Sequence, residues 1–531
     1  MFVLTAIVHE RLLLILSLFF AIGALYMLSS KLRISYPIVL VIGGLLISLV
    51  PGMPTMELDP DLVFLIFLPP LLYEAAWSTS WREFWSFRRP ISLLAFGLVF
   101  VTSCVVAYVS NAMIPGFTLA MGFLLGGIIS PPDAVAATSV LGGLKVPKRV
   151  VTILEGESLV NDASSLIVFR FALAAILTSQ FALVPAIGNF FLVAGAGVLI
   201  GVAIAYVVYL IHRYLPTTPT IDVALTLVTP YIMYLAAEEA HVSGVMSVVS
   251  GGLFLTHRSS DFMNFQTRIQ ANGVWDTMSF LLNGFVFILI GLQLPMITSD
   301  LGMPPGPALV YAIVISLITI LLRIAWVFPA TYVPRWIIPS IGREPYPSPK
   351  AVFLVAWAGM RGVVSLASAL AVPLTLTDGT AFPYRNFILF CTFVVILITL
   401  VLQGITLPAL IRVMDFPDDS DPAATERLQR RVRASMSNAV VEHLDAHYQE
   451  ELQRSEFFAR LRHNYDRLRA EQEVEPGQAM DPALRATYKK ALIELIHVRR
   501  AVLKGLRCDT ESDLEMVREW EETLDFEEAR I

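Results

Sequence analysis

An all-α polytopic membrane fold with thirteen transmembrane helices is expected from three features: the composition, the spacing of the apolar runs and the distribution of basic residues. Of 531 residues, 56% are hydrophobic and 15% charged, against about 25% charged in soluble domains. Most of the chain must therefore face lipid. Apolar runs of spanning length fall at about 12–28, 36–50, 61–77, 91–110, 117–140, 152–178 and 185–211. Six more follow at about 221–237, 242–256, 274–294, 307–333, 351–373 and 386–413. No basic n-region or small-residue cleavage site stands out ahead of 12–28, so this run reads as a retained first span.

The loops between these runs alternate in charge. One set holds Lys31, Arg33, Arg82, Arg88, Arg89, Lys145, Lys148, Arg149, Arg213, Arg258, Arg268, Arg335, Arg343 and Lys350; the other holds Arg11 and Arg385. Basic loops stay on the cytoplasmic side. The alternation supports the count of thirteen and predicts an external N-terminus with the C-terminal tail inside.

Two units differ in character. Residues 1–414 form the membrane region with net charge +2, and residues 415–531 form a tail of net charge −8. The tail's acidity disfavours nucleic acid and anionic lipid as its partners. Its apolar residues follow helical stripes: Leu428, Val432 and Met436; Phe457, Phe458, Leu461 and Leu468; Leu484, Tyr488, Leu492, Leu495, Ile496 and Val502. Turns are expected at Pro476-Gly477 and Asp481-Pro482. Such amphipathic helices pack together, dimerise or dock on cytoplasmic loops. Cys104, Cys391 and Cys508 have no paired spacing, which argues against a disulfide framework or a zinc site. No resident cofactor is expected.

Two spans are broken near mid-depth, by Ser130-Pro131-Pro132-Asp133 in span 5 and by Gly359-Met360-Arg361-Gly362 in span 12. Lipid satisfies no freed backbone group, so such breaks line a cavity. The two spans lie seven apart and run in opposite directions. Spans 2 and 9 share that offset, and each contains Gly-Gly-Leu (Gly43-Gly44-Leu45 and Gly251-Gly252-Leu253). Interrupted segments at matching positions of inverted halves point to a midplane transport site.

The chemistry concentrates in span 6, at Gly156-Glu157-Ser158-Leu159-Val160-Asn161-Asp162. A charge at the bilayer centre costs about 2.5–3.5 kcal/mol even on the lenient insertion scale. Ser158 and Asp162 are four apart, as are Glu157 and Asn161, so all four fall within roughly 140° of helix arc. Asp162 offers an anionic oxygen, Ser158 a neutral one, and the nearby break offers carbonyls, the ligands a dehydrated alkali cation takes. The same carboxylate can bind a proton instead, and a group that takes one or the other is a minimal exchanger. A polar helix–helix clamp is the competing reading, but clamps more often use Ser, Thr or Asn.

Asp133 fits either a cation ligand or a charge neutralising a half-helix N-terminus. Arg361 needs an anion, for which Glu157 is the expected partner. Glu74 is a second ligand, a vestibule residue or an interface carboxylate. Glu155 is an entry-funnel residue or an ordinary helix-end residue. Arg170 and Arg323 read as structural partners of carbonyls or acids, and Glu238 as surface charge.

Together, Leu68-Pro69-Pro70-Leu71-Leu72-Tyr73-Glu74, Pro132-Asp133-Ala134-Val135-Ala136, Gly156–Asp162 and Gly359-Met360-Arg361-Gly362-Val363-Val364-Ser365 resemble the monovalent cation/proton antiporter-1 family, bacterial relatives of mammalian sodium–proton exchangers. The resemblance implies thirteen helices in inverted repeats, crossed broken helices and a homodimer. It implies electroneutral exchange of sodium for protons, serving intracellular pH and sodium homeostasis. Carried over residue by residue, it makes Asp162 and Ser158 the cation and proton site, Glu74 a further ligand and Asn161 an orienting residue. Glu157 becomes the ion-pair partner of Arg361, and Asp133 the charge at the helix crossing. Where many relatives have Thr-Asp-Pro, this chain has Pro132-Asp133-Ala134, leaving only the Pro132 backbone carbonyl as an oxygen donor. Potassium–proton exchange is the nearest alternative, and a tail-gated cation channel is an alternative of a different class. A hydrolase is disfavoured because Ser158 has no histidine or lysine at helical spacing.

Overall fold

The computed structural model describes residues 2–32, 34–50, 60–142, 144–178, 183–299, 301–337, 339, 346–376, 379–416, 422–473, 490–500, 524 and 527–528. The chain forms α1 (Phe2–Leu32), α2 (Tyr36–Ser48), α3 (Pro60–Ser78) and two short helices, α4 (Trp81–Ser86) and α5 (Arg88–Ser92). A π-helical turn (Leu93–Leu98) leads into α6 (Val99–Met113). Two half-helices, α7 (Leu119–Ile129) and α8 (Ala134–Leu141), precede the long α9 (Lys148–Thr178). Then come α10 (Leu183–Tyr214), α11 (Pro219–Glu239), α12 (Gly244–Phe262), α13 (Phe265–Leu292), the short α14 (Leu294–Ser299) and α15 (Pro305–Ile337). A second pair of half-helices, α16 (Pro349–Trp357) and α17 (Val363–Leu370), is followed by α18 (Arg385–Ile398). A second π-helical turn (Thr399–Gln403) continues α18 into α19 (Gly404–Met414).

Each of the thirteen apolar runs falls on helix. Among the described residues, nine helical stretches are long and apolar enough to cross a membrane. The nine do not include α2, α3, α12 or the α16–α17 pair: α2 has 13 residues, and α16 and α17 have nine and eight. For these four, the count of thirteen rests on the alternation of basic loops.

Helix starts are closed locally, as N–H groups with no intrahelical partner require. Thr118, Thr218, Ser243, Asn264 and Ser348 each accept a hydrogen bond from the backbone N–H three residues on. α2 packs on α13, and α12 packs on α3 and α10. A Cβ at Gly44 would lie 2.2 Å from the Ile288 carbonyl oxygen, and one at Gly252 would lie 2.8 Å from Ala76 Cβ. Each Gly-Gly-Leu segment thus uses its second glycine for a close helix approach. α7 packs against both α6 and α9, which places the break after Ile129 beside the middle of α9.

The chain divides into two compact units, Met1–Asp419 and Ser420–Ile531. In the second, α20 (Pro422–His447), α21 (Gln449–Arg454) and α22 (Glu456–Glu473) form a small helical cluster. Arg462 of α22 grips Asp445 of α20 through Nε at 2.7 Å and Nη2 at 3.0 Å. Phe457 and Leu461 are exposed rather than packed. The side chains of Leu428, Val432, Leu468, Leu484, Tyr488 and Val502 lie outside the described residues, as do both expected turns and Cys508.

Candidate ion site at two broken helices

The two breaks meet. Asp133 N–H donates to the Met360 carbonyl at 2.7 Å, joining the gap between α7 and α8 to the gap between α16 and α17. Asp133 Oδ1 accepts from the N–H groups of Val135 (2.8 Å) and Ala136 (3.4 Å), capping α8. Its Oδ2 accepts from Val363 N–H at 3.2 Å, in the first turn of α17. One carboxylate therefore faces the positive ends of two half-helices. Of the two roles open to Asp133, this geometry is the helix-terminus role. Gly362 makes it possible, because a Cβ there would lie 1.8 Å from Asp133 Oδ2.

The negative end of α7 meets the opposite charge. Arg361 Nη1 donates to the carbonyl of Ser130, the residue that ends α7. The Arg361 backbone N–H donates to Thr399 Oγ1 at 3.1 Å, in the second π-helical turn. The first π-helical turn faces α9 and receives a bond from it: Ser164 Oγ donates to the Ala95 carbonyl at 2.5 Å. Such turns release carbonyls that side chains can take up, and they recur at functional sites.

The expected Glu157–Arg361 pair is not what forms. Glu157 accepts from Arg323 of α15, Nη1 at 2.5 Å and Nη2 at 2.8 Å, with both side chains 1% exposed. Arg323 Nε and Nη2 also donate to the Val355 carbonyl at 3.3 and 3.0 Å, near the end of α16. The planar guanidinium thus satisfies a carboxylate and a half-helix carbonyl together. Arg361, reaching the Ser130 carbonyl instead, leaves its Nε without a partner among the described residues.

Along α9, Asn161 Nδ2 donates to the Pro132 carbonyl at 3.1 Å, so the expected oxygen donor in the break already accepts one bond. Asn161 Oδ1 is buried without a partner among the described residues. Ser158 Oγ accepts from Ala134 N–H at 3.1 Å, which holds it at the start of α8. Asp162 is 7% exposed, and among the described residues its carboxyl receives no hydrogen bond and makes no ion pair. The three acids around the breaks therefore differ in kind. Glu157 is neutralised and Asp133 caps two helices, while Asp162 is buried and unpartnered. An uncompensated buried carboxylate is costly; a bound cation or proton removes that cost.

Glu74 of α3 has different surroundings. Its neighbours are Ser279 and Asp276 of α13, and Glu155 is within electrostatic reach of it. The structure places Glu74 and Glu155 in one acidic neighbourhood, with Ser158 and Asp162 farther along α9. Arg170 pairs with Glu238 at 2.6 and 2.8 Å, giving both residues an ionic partner.

Sequence reasoning also missed a second buried cluster. His212 Nδ1 lies 2.7 Å from Asp222 Oδ1, and Asp222 Oδ2 accepts from Thr267 Oγ1 at 3.2 Å. The His212 ring stacks on Phe262, so one pair ties together α10, α11, α12 and α13. An aspartate opening an otherwise apolar span was the available signal.

A family model described as the transmembrane sodium/hydrogen exchanger matches residues 15–413. The sodium, potassium, lithium and rubidium/H+ antiporter of Bacillus pumilus (strain SAFR-032) is 36% identical over 389 residues, covering 71% of this chain. The aligned part spans 58% of that relative's length. The Na+/H+ antiporter ApNhaP of Aphanothece halophytica is 32% identical, with 82% of this chain and 80% of the relative covered. The solved structure of MjNhaP1, a sodium proton antiporter from Methanocaldococcus jannaschii, superposes with a TM-score of 0.61 at 19% identity, covering 76% of this chain and 98% of that one. Its likeness concerns the fold. With a matching model over most of its length and several relatives above 30% identity, this multi-pass membrane protein belongs to the sodium/hydrogen exchanger family.

Proposed function

We propose that the protein is a secondary antiporter exchanging sodium, or lithium, for protons one for one, with Asp162 as the alternating site. The observation that carries this reading is the Asp162 carboxyl, buried beside the paired breaks with no group among the described residues to neutralise it. A sodium ion takes the ionised carboxylate together with the free lone pair of Ser158 Oγ. The Pro132 carbonyl, whose first lone pair accepts from Asn161, supplies a further oxygen. Protonation of Asp162 removes the anionic ligand and expels the ion. Asn161 adds no second titratable group beside Asp162, so charge balances with one proton per cation. Glu74 and Glu155 draw cations toward the site from the cytoplasmic end.

The same reading takes the chain as a homodimer of thirteen-span protomers with crossed broken helices in inverted repeats. It places the N-terminus outside and the acidic tail, from 415 onward, in the cytoplasm of a bacterial cell, where exchange sets pH and sodium content. The packing of α2 on α13 and of α12 on α3 supports the repeats: spans 2 and 10 in one pair become spans 9 and 3 in the other.

Potassium as cargo is the second reading. The name of the Bacillus relative includes potassium, and Pro132-Asp133-Ala134 lacks the threonine hydroxyl of many relatives. Proteoliposomes with an internal pH dye separate the readings when sodium, lithium and potassium are added in turn. With voltage clamped by potassium and valinomycin in the sodium and lithium arms, one-to-one exchange has a null point that is independent of voltage. A null point that moves with voltage refutes that stoichiometry, and flux that persists without a counter-gradient indicates a channel.

A further inference from the structure

The short helices α4 and α5 that follow α3, with the first turn of α9, carry a surface that the ion site leaves unused. α4 presents Trp81 and Trp85 outward, 36% and 53% exposed, with their rings stacked 5.5 Å apart. The Arg88 guanidinium sits 4.9 Å over the Trp85 ring, and its Nη1 donates to the Trp85 carbonyl at 2.7 Å. Arg82 and Lys148 are exposed. Arg149, in the first turn of α9, lies 5.2 Å over Phe87, which brings that turn beside α4 and α5. Thr152 Oγ1 fixes the arrangement by donating to Glu83 Oε2 at 3.2 Å.

Exposed stacked tryptophans are out of place in water, and at the headgroup level of a membrane they are anchors. Only Thr79 and Ser80 separate α4 from the end of α3, so the rings sit where a span leaves the lipid. Arginine beside them supplies the donor fork that matches a phosphate. We propose that α4, α5 and the first turn of α9 bind the phosphate headgroup of an anionic phospholipid in the cytoplasmic leaflet, and that occupancy steadies the half of α9 leading to Asp162. The proposal rests on the orientation reading above. The route inward is packed: Phe84 and Phe87 lie against a cluster of Ile91, Ala95 and Val160, and Val160 is two residues from Asp162. A Cβ at Gly156 would lie 2.4 Å from Ile91 Cδ1, so α5 already touches α9 at closest approach.

The test reconstitutes the full chain in phosphatidylcholine with or without phosphatidylglycerol. Spin-labelled phosphatidylglycerol or phosphatidylcholine quenches tryptophan emission, and the difference from W81F/W85F isolates these two rings. Wild type should be quenched preferentially by phosphatidylglycerol. R82Q/R88Q/K148Q should lose that preference by about fivefold per charge, about a hundredfold in all, and keep its exchange rate in phosphatidylcholine. Phosphatidylglycerol should raise the exchange rate of wild type and leave the triple variant unchanged.

Equal quenching by both lipids in wild type overturns the site, and a triple variant that keeps the preference overturns the residue assignment. Preference without any rate effect overturns the coupling to α9. Inorganic phosphate that abolishes the preference would identify a soluble-anion site instead. Zero-length cross-links from Lys148 to tail carboxylates, persisting in phosphatidylglycerol, would identify the acidic tail as the occupant. Quenching is read without transport, so failure of the exchanger reading leaves it intact, and failure of this proposal leaves exchange intact.

Discussion

Replacing Arg323 by glutamine should be among the most destabilising single changes in the membrane unit. Glu157 and Arg323 are each 1% exposed and share two charge-assisted bonds at 2.5 and 2.8 Å. Removing one partner strands the other charge, at a cost of about 3–5 kcal/mol. R323Q also frees the Val355 carbonyl, which now accepts from Arg323 at 3.0 Å, so its cost belongs at the upper end. E157Q belongs at the lower end, because Arg323 keeps that carbonyl. The double variant E157Q/R323Q replaces both charges with amides and should recover about 2 kcal/mol relative to the sum of the singles. The assay is a denaturing-detergent titration in mixed micelles on all four proteins, followed by helicity. The control cycle pairs E157Q with R361Q. Arg361 bonds the Ser130 carbonyl rather than Glu157, so its coupling to Glu157 should be the smaller. Coupling at Arg361 equal to or above that at Arg323 would refute the pairing.

Three further outcomes follow from the contacts. D133A should cost about 2–4 kcal/mol, since it uncaps α8 and leaves Val363 N–H unpaired, whereas D133N keeps an acceptor for α8 and should cost less; thermal unfolding ranks them. G362A should cost about 1–3 kcal/mol and slow exchange, because the added carbon lands on Asp133 Oδ2; a variant with unchanged melting would contradict the close approach. D222A should lose about 1–3 kcal/mol by stranding His212 and Thr267 while leaving half-saturation for sodium unchanged. A shifted half-saturation would give that cluster a part in ion binding.

The spans were legible because lipid exposure needs composition and length alone. The breaks were legible because Pro131 and Pro132 precede Asp133 and because Gly359 and Gly362 flank Arg361; proline alone does not mark a break, since Pro69, Pro70 and Pro230 lie inside continuous helices. Pairing was not. Two buried arginines competed for one buried glutamate, and sequence position favoured Arg361, which sits at the break in span 12. What decides it is space: a Cβ at Gly359 would lie 2.4 Å from Arg323 Cδ, so that glycine opens the path by which Arg323 passes toward Glu157. The role of Asp133 was open for a similar reason. Capping α8 is local, but its second bond goes to Val363, 230 positions along the chain. The surroundings of Glu74, expected from the resemblance to be a further ligand, were not legible either, because its observed neighbours, Ser279 and Asp276, lie on α13, outside every motif.

The most direct test of the central claim compares wild type with D162N, both purified and reconstituted with an internal pH dye. The substitution keeps the shape of the side chain and removes both the proton site and the anionic ligand, in a position where no ion pair depends on it. D162N should fold with a melting temperature at or above that of wild type and show no sodium-driven proton movement at any pH. Near-normal, pH-dependent sodium exchange by the folded variant would remove Asp162 from the ion site and contradict the account.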